Sequence, residues 1–244
     1  AAPKGVLPLL GVPVLNGPQH LRRLLMSLDV PIQILAIVDQ SGGRSDQQSR
    51  QLRHELQRLE QEGLPGVERV CLARPFGNTG VASAWNQILL SFPQASLALL
   101  VNHDVTFPPG LLAEALARLD PAQPQYLALF PGERAFSAFA LTALAWDAVG
   151  SFDERYYPAY CEDLDYRDRL RADPTVTIIE NPELQSAMAS LNKQHSATIG
   201  SDPKLAAHNR CSFQLNRIWY LSQRRIRNDP RGSWILRWLG SWDL

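Results

Sequence analysis

Short apolar runs alternate with amphipathic stretches over the first 104 residues of the chain. Four runs are dominated by Val, Ile and Leu and have the length of strands buried on both faces of a parallel sheet; they cover residues 6–14, 32–38, 67–72 and 97–101. Apolar residues at helical spacing follow each of the first three runs, over residues 18–28, 45–63 and 79–91. This alternation predicts an α/β fold with a doubly wound, mostly parallel sheet flanked by helices.

The predicted helix over residues 45–63 carries start and stop signals. Ser45 and Gln48 have the spacing of a capping box, and Gly63 is a typical residue at a helix end. Its apolar stripe consists only of Leu52, Leu56 and Leu59. We therefore expect this helix to lie on the surface.

The pattern changes after residue 104. Strands are expected over residues 126–130, 135–140 and 175–180, and helices over 141–149, 163–171 and 204–227. The last helix is long and basic. Because no repeat, low-complexity tract or shift in composition marks a linker, we expect one domain over residues 1–200 and a C-terminal helical extension over residues 201–244.

Composition and charge narrow the function classes. Apolar residues make up 45% of the 244 residues and charged residues 20%, which are ordinary values for a globular protein. The 24 basic and 24 acidic residues cancel, so the overall charge does not favour nucleic acid as a partner. Three scattered cysteines do not form a disulfide framework or a zinc site. No apolar run reaches the about 18 residues of a membrane helix, and the chain does not begin with a secretory signal pattern, so we expect a cytoplasmic protein.

Polar residues follow each of the four early strands. In an open parallel sheet, ligands bind beyond the carboxyl ends of the strands. The candidates there are Asn16, Asp39 with Ser41, Asn78 with Gly80, and Asn102 with His103 and Asp104. Neither G-x-G-x-x-G after the first strand nor G-x-x-x-x-G-K-[ST] anywhere occurs, which disfavours a dinucleotide-dependent dehydrogenase and a P-loop NTPase.

Two carboxylates at these strand ends have alternative interpretations. Asp39 either accepts hydrogen bonds from a nucleobase or ribose, or caps a turn. Asp104 either holds Mg²⁺ or Mn²⁺, which favour oxygen ligands and bridge phosphates, or caps a turn.

The densest acidic cluster is Glu162-Asp163-Leu164-Asp165, which follows the aromatic stretch over residues 156–160. One interpretation is a general base at a helix start, beside aromatic rings that hold an acceptor. The other is a helix N-terminus whose acids are stabilised by the macrodipole. His195 lies among polar residues further on and either contacts a metal or phosphate or is structural.

In their order along the chain, these residues resemble glycosyltransferase family 2, and within it a rhamnosyltransferase-like subgroup. The resemblance covers roughly residues 6–200 and rests on five motifs: Pro13-Val14-Leu15-Asn16, Ile37-Val38-Asp39-Gln40-Ser41, Asn78-Thr79-Gly80 through Asn86, Asn102-His103-Asp104, and Gly150-Ser151-Phe152-Asp153-Glu154 followed by Glu162-Asp163-Leu164-Asp165. It implies the GT-A fold, with a nucleotide-sugar half over residues 1–104 and an acceptor half over 105–200.

The resemblance also implies an inverting transfer from a nucleotide-diphosphate sugar to a hydroxyl of a glycan or a lipid-linked acceptor. Asp163 would be the general base, with Glu162 as the second choice. Asp104 and His195 would hold Mn²⁺ or Mg²⁺. The donor would be bound by Val14, Asn16, Asp39, Ser41, Asn78, Gly80, Asn86 and Asn102. Asn102 replaces the first Asp of the metal motif, which leaves open a metal-independent enzyme that neutralises the diphosphate with basic side chains.

Two other functions and one further surface stay open. The rivals are a non-catalytic GT-A module that binds glycans or nucleotides, and a sugar-phosphate nucleotidyltransferase.

The C-terminal tail places Trp234, Trp238, Trp242, Ile235 and Leu239 on one face of a helix, near several arginines. This face either contacts the inner face of a membrane peripherally or packs on the protein's own core or a second copy.

Overall fold

A computed structural model describes residues 5–193 and 203–228 of the chain. Its first half alternates strands and helices, in the order β1 (Leu7–Val14), α1 (Pro18–Met26), β2 (Ile32–Asp39), α2 (Gln47–Glu62), β3 (Val67–Ala73), α3 (Val81–Ser91) and β4 (Leu97–Val101). The second half adds α4 (Leu111–Ala117), β5 (Gln125–Ala128), β6 (Ala138–Thr142), α5 (Ala143–Val149), α6 (Glu162–Ala172), β7 (Thr177–Ile179), α7 (Pro182–Leu191) and α8 (Pro203–Asn228).

The seven strands form one sheet in the order β3-β2-β1-β4-β6-β5-β7. β1 pairs in parallel with β2 and β4, β2 pairs in parallel with β3, and β5 pairs in parallel with β7. β6 pairs antiparallel with both β4 and β5. The predicted mostly parallel sheet flanked by helices is therefore confirmed, with the antiparallel strand in its second half.

Helices cover both faces of the sheet, which explains why its central strands are apolar throughout. One face packs against α1, α2, α4 and α7 through a core that includes Leu24, Leu56, Leu112 and Met188. The opposite face packs against α3, α5 and α6 around a cluster of aromatic rings. In that cluster, the rings of Phe152 and Tyr166 stack with their centroids 3.8 Å apart.

The local predictions need three corrections. The cap of α2 is Asp46, whose side chain accepts the Ser49 amide, and not Ser45. Residues 132–137 form a 3₁₀ helix, so the strand expected from residue 135 begins only at Ala138, as β6. Helices α4 and α7 were not predicted, because their short apolar segments lie between turn-forming residues and give little periodic signal.

Candidate functional site

The loops after β1 and β4 meet at His103. Its ring is buried, and it hydrogen-bonds with the backbones of Pro13 and Asn16. Burial is the main influence on His103 and lowers its pKa, so the neutral ring is favoured. His103 therefore joins two strand ends, and it keeps the buried Asn16 beside the start of the Asp104 loop.

The end of β2 is held by a local turn. Asp39 is 2% exposed, and its Oδ1 accepts the Ser41 amide at 3.0 Å. Arg53 of α2 donates to the backbone oxygen of the buried Ser41 at 3.3 Å. The carbonyl of Val14 at the end of β1 accepts the Gln40 amide at 2.7 Å. The predicted donor-binding residues Val14, Asp39 and Ser41 therefore lie together at the carboxyl ends of the neighbouring strands β1 and β2.

Gln40 connects this turn to the loop before α3, and the sequence analysis did not single it out as a site residue. Its Oε1 accepts the Thr79 amide at 2.6 Å and the Thr79 hydroxyl at 3.0 Å. Its Nε2 donates to the Gly80 carbonyl at 2.8 Å. A buried amide side chain that uses both of its ends fixes the distance between two loops.

The loops after β2 and β3 also touch through their backbones. A Cβ at Gly42 would lie 2.4 Å from the Pro75 oxygen and 2.6 Å from the Phe76 carbonyl carbon. Only glycine permits this approach without movement of one loop. The Phe76 ring beside it is fully exposed.

The loop before α3 in turn contacts the aromatic loop before α6. Val81 donates its amide to the Pro158 carbonyl at 2.9 Å, and the Tyr157 hydroxyl donates to the Asn78 carbonyl at 3.1 Å. Gly80 has φ 91°, in the region that favours glycine, and a Cβ there would lie 3.2 Å from the Pro158 oxygen. The strand-end loops of the first half therefore lie against the segment that leads to Glu162 and Asp163.

Asn86, another predicted donor contact, has hydrogen bonds to the protein itself. Its Nδ2 donates to the Phe152 carbonyl at 2.9 Å and to Glu154 at 2.8 Å, and its Oδ1 accepts the Phe152 amide at 2.8 Å. Asn86 is 3% exposed. These bonds give it a structural role in tying α3 to the segment before the aromatic loop.

Asp104 lies in the loop after β4 and is partly buried. Its carboxylate interacts electrostatically with His20, His103 and Arg134. The backbone N–H of the neighbouring Asn102 donates to the Ser137 carbonyl, and its backbone carbonyl accepts the Val105 amide. The loop is therefore anchored at its backbone while Asp104 stays partly accessible.

The surroundings of Asp104 suit a divalent cation that is also bound by phosphate groups of the substrate. Within residues 5–193 and 203–228, no group of three or more His, Cys, Asp or Glu side chains comes together as a metal site. Mg²⁺ is often held by one or two carboxylates together with substrate phosphates, and a single partly accessible Asp104 fits that mode. His195, the second predicted metal contact, lies outside the described residues.

The acidic cluster begins α6 and follows two strained residues. Tyr160 and Cys161 have φ values of 78° and 74°, a conformation that is uncommon for residues other than glycine and that often occurs at functional sites. Glu162 and Asp163 are the first two residues of the helix. Asp165 is 1% exposed and forms an ion pair with Arg169 at 2.9 Å, so it is a structural member of the cluster.

Burial separates the two candidate bases. Glu162 is 5% exposed and its Oε2 has no hydrogen-bond partner among the described residues. Burial, followed by the charge of Asp163, raises the pKa of Glu162 well above its usual range, so its neutral form is favoured. Burial also raises the pKa of Asp163, but the Leu164 amide and Arg167 oppose this shift. Asp163 is only partly buried.

The C-terminal helix α8 supports the strained loop. The Nδ2 of Asn216 donates to the carbonyls of Ala159 at 2.9 Å, Tyr160 at 3.1 Å and Tyr157 at 3.3 Å. The Tyr220 hydroxyl donates to Asp168 of α6 at 2.7 Å. Sequence reasoning missed Asn216, since nothing in a basic helix indicates that one Asn faces a loop more than fifty residues away.

Comparison with known proteins identifies the fold. No protein-family model matches the chain, and no curated protein matches it. A structure of GalNAc-T7 with UDP, GalNAc and Mn²⁺ is similar with a TM-score of 0.53 and 10% identity, covering 72% of this chain and 43% of that one. A structure of S. aureus TarS is similar with a TM-score of 0.50 and 15% identity, covering 70% of this chain and 35% of that one.

The chain thus spans less than half the length of either structure. At such low identities the likeness concerns the fold and not the activity. The seven-stranded, mostly parallel sheet with helices on both faces matches the architecture of these two proteins. The chain therefore has the GT-A fold of glycosyltransferases.

Proposed function

We propose that the protein is an inverting glycosyltransferase of the family 2 type that uses a nucleotide-diphosphate sugar. One observation carries the proposal: the hydrogen bond from Val81 to Pro158 places the strand-end loops of the first half against the segment that leads into Glu162 and Asp163. Ligands of open parallel sheets bind at this edge. A carboxylate with a raised pKa at the same edge is what a proton-accepting base requires.

The first half would hold the donor. Asp39 and Ser41 would contact the base or ribose, with Asn16, Asn78, Gly80 and Asn102 lining the nucleotide and diphosphate and Val14 as a further predicted contact. Asn86 would support the site indirectly, through its bonds to Phe152 and Glu154. The hydrogen bonds of Gln40 and His103 hold the loops that carry these residues together. This supports the role, because a site held by buried hydrogen bonds needs little reorganisation when the ligand binds. The similar GT-A structure of GalNAc-T7 with UDP, GalNAc and Mn²⁺ is consistent with such a donor.

Asp163 would act as the general base. Its carboxylate would remove the proton from an acceptor hydroxyl, the oxygen would attack the anomeric carbon, and the bond from that carbon to the diphosphate oxygen would break with inversion. Asp163 suits this step better than Glu162, since it is partly accessible and Arg167 favours its ionised form. Glu162 is enclosed and favours its neutral form.

Asp104 would hold Mn²⁺ or Mg²⁺, with His195 as a second contact. A divalent cation, when bound, stabilises the charge that develops on the leaving diphosphate. Arg134 lies within electrostatic reach of Asp104 and supplies the alternative, a basic side chain that neutralises the diphosphate without metal. Loss of activity in EDTA, restored by Mn²⁺ or Mg²⁺, would support the metal; full activity in EDTA would support Arg134.

The acceptor would be a hydroxyl of a glycan or of a lipid-linked glycan. Among the described residues, no helix is long and apolar enough to cross a membrane. The Trp residues of the predicted tail, Trp234, Trp238 and Trp242, lie outside the described residues. Their contact with a membrane or with protein stays a prediction.

A thermal-shift panel of UDP, GDP, dTDP and their sugar conjugates, with and without Mn²⁺, tests donor binding. A ligand at 100 times its Kd adds about 2.7 kcal/mol to the stability of the folded state. Turnover assays with the stabilising donor then separate the candidate functions. Release of a nucleoside diphosphate supports the transferase, release of pyrophosphate would point to a nucleotidyltransferase, and binding without turnover over a broad acceptor panel would point to a binding module.

A further inference from the structure

The face of helix α8 that contacts the protein is lined by polar side chains. Its buried side chains recur every three or four residues and therefore share one face; they are Asn209, Ser212, Asn216, Tyr220 and Gln223, each between 5% and 8% exposed. Asn216 and Tyr220 make the contacts to the aromatic loop and to α6 described above. The face that docks on the domain is thus held by hydrogen bonds.

The opposite face of α8 exposes three large apolar side chains, together with the polar side chains of Gln214, Ser222 and Arg225. Leu215, Ile218 and Leu221 are 68%, 63% and 50% exposed. At 100° per residue they span about 120° of the helix, directly opposite the buried polar face. This arrangement is the reverse of an ordinary surface helix, which turns its apolar stripe toward the core.

The charges on α8 are of one sign. The helix contains Lys204, Arg210, Arg217, Arg224, Arg225 and Arg227 and no Asp or Glu. Arg210, Arg217 and Arg224 recur every seven residues and form one edge of the exposed apolar face. Of these three, Arg224 lies 3.8 Å from Asp168, and its side chain is still 57% exposed.

We propose that the outer face of α8, defined by Leu215, Ile218, Leu221 and the flanking Arg210, Arg217 and Arg224, docks on an anionic membrane surface. An apolar stripe edged by basic residues is the chemistry of helices that lie in the membrane interface, where the apolar side chains enter the headgroup region and the arginines meet anionic lipids. A second copy of the chain fits less well, because two such helices would bring like charges together.

Docking through α8 has a consequence for the candidate site. Asn216 of the same helix holds the carbonyls of the loop that precedes Glu162. A membrane against the outer face of α8 would therefore lie one helix diameter from this loop. The proposal does not depend on the transfer reaction, since docking is measured without donor or acceptor.

The test compares two matched triple variants of the full chain by vesicle flotation. The docking variant carries Leu215→Ser, Ile218→Ser and Leu221→Ser. The control carries Met26→Ser, Leu90→Ser and Leu144→Ser, which are 80%, 62% and 43% exposed and lie on other helices. Vesicles are phosphatidylcholine alone or with phosphatidylglycerol, and melting temperatures establish that each variant is folded.

We expect the wild type and the control to bind the anionic vesicles and not the neutral ones. Binding of the docking variant should be weaker by more than about tenfold. A third variant, Arg210→Gln with Arg217→Gln, should also bind more weakly, and salt should weaken the wild type, because surface attraction is screened.

Equal binding by the docking and control variants would overturn the proposal. So would a chain truncated after Asn228 that no longer binds while the docking variant of the full chain still does. A further outcome would assign the face to a second copy instead. In that case the wild type would not bind vesicles, and sedimentation velocity would show a dimer that dissociates in the docking variant.

Discussion

At the scale of single residues, burial distinguishes carboxylates that are neighbours in sequence. Glu162, Asp163 and Asp165 lie within four positions, yet one is enclosed, one is partly accessible and one is paired with Arg169. Their chemical roles differ because desolvation acts on each carboxyl separately. Substitutions at these positions should therefore have distinct effects.

Asp163→Asn should reduce kcat by about 100- to 10,000-fold, the usual contribution of a general base, and leave donor affinity near that of the wild type. The amide cannot accept the hydroxyl proton. Donor titration and steady-state rates measure the two effects, with Asp147→Asn on the exposed side of α5 as the control. Normal turnover in Asp163→Asn would reject the assignment and move the test to Glu162.

Arg167→Gln should shift the acid limb of the rate profile to higher pH. The guanidinium of Arg167 lowers the pKa of Asp163, so its removal raises that pKa, and the base is then lost to protonation at a higher pH. The measurement is kcat/KM against pH for the wild type, Arg167→Gln and the exposed control Arg171→Gln. An unchanged acid limb in Arg167→Gln would show that this limb does not report the protonation of Asp163.

At the scale of elements, the candidate site depends on contacts between loops. The turns after β2 and β3 approach so closely at Gly42 that no side chain fits, and Gln40 joins the first turn to the loop before α3. The aromatic loop then meets the loop before α3 on one side and Asn216 of α8 on the other. A single added atom at Gly42 tests this arrangement.

Gly42→Ala should weaken nucleotide binding and lower the melting temperature, since its Cβ would lie 2.4 Å from the Pro75 oxygen and would force the loops apart. Changes that force packed atoms apart commonly cost about 1–3 kcal/mol. Gly77→Ala in the facing loop is the control, because its Cβ would lie 3.8 Å from the nearest atom, the Gly42 oxygen. Equal melting temperatures and affinities for the two variants would contradict the close approach.

At the scale of the whole molecule, the buried acid at the start of α6 opposes stability. The pKa of Glu162 is higher in the folded protein than in the unfolded chain. Its unfavourable contribution is therefore absent below the unfolded pKa of about 4.3, grows as the pH rises from there toward the folded pKa, and is constant above it. Stability lost at such a residue is typical of functional positions.

Glu162→Gln should therefore be more stable than the wild type at neutral pH, by about 0.5–2 kcal/mol, the range usual for a stabilising substitution. The gain should shrink toward pH 4.5, because the carboxyl of the unfolded wild type is then increasingly protonated as well, so folding requires little proton uptake. Urea unfolding between pH 4.5 and 8 measures this difference, with the exposed Glu180→Gln as the control. A gain that does not vary with pH would contradict the raised pKa of Glu162.

Local sequence patterns were enough to predict most of the strands, most of the helices and the polar residues at the strand ends, because apolar periodicity and turn-forming residues are local signals. The positions of Asp39, Asn78 and Asp104 beyond the sheet follow from that pattern. Helices α4 and α7 were missed because short segments carry weak periodicity. The antiparallel direction of β6 was missed because strand direction depends on how the chain returns to the sheet and not on a local pattern.

Which of these residues meet, and how buried each one is, depends on the folded arrangement of the whole chain. The bonds of Gln40 to Thr79 and Gly80, of His103 to the β1 loop and of Asn216 to the aromatic loop join positions far apart in sequence. The different burial of Glu162 and Asp163, and the outward orientation of the apolar side chains of α8, also follow from the folded structure. Desolvation and hydrogen-bond pairing depend on neighbours that the chain brings together only when it folds, so no local pattern contains them.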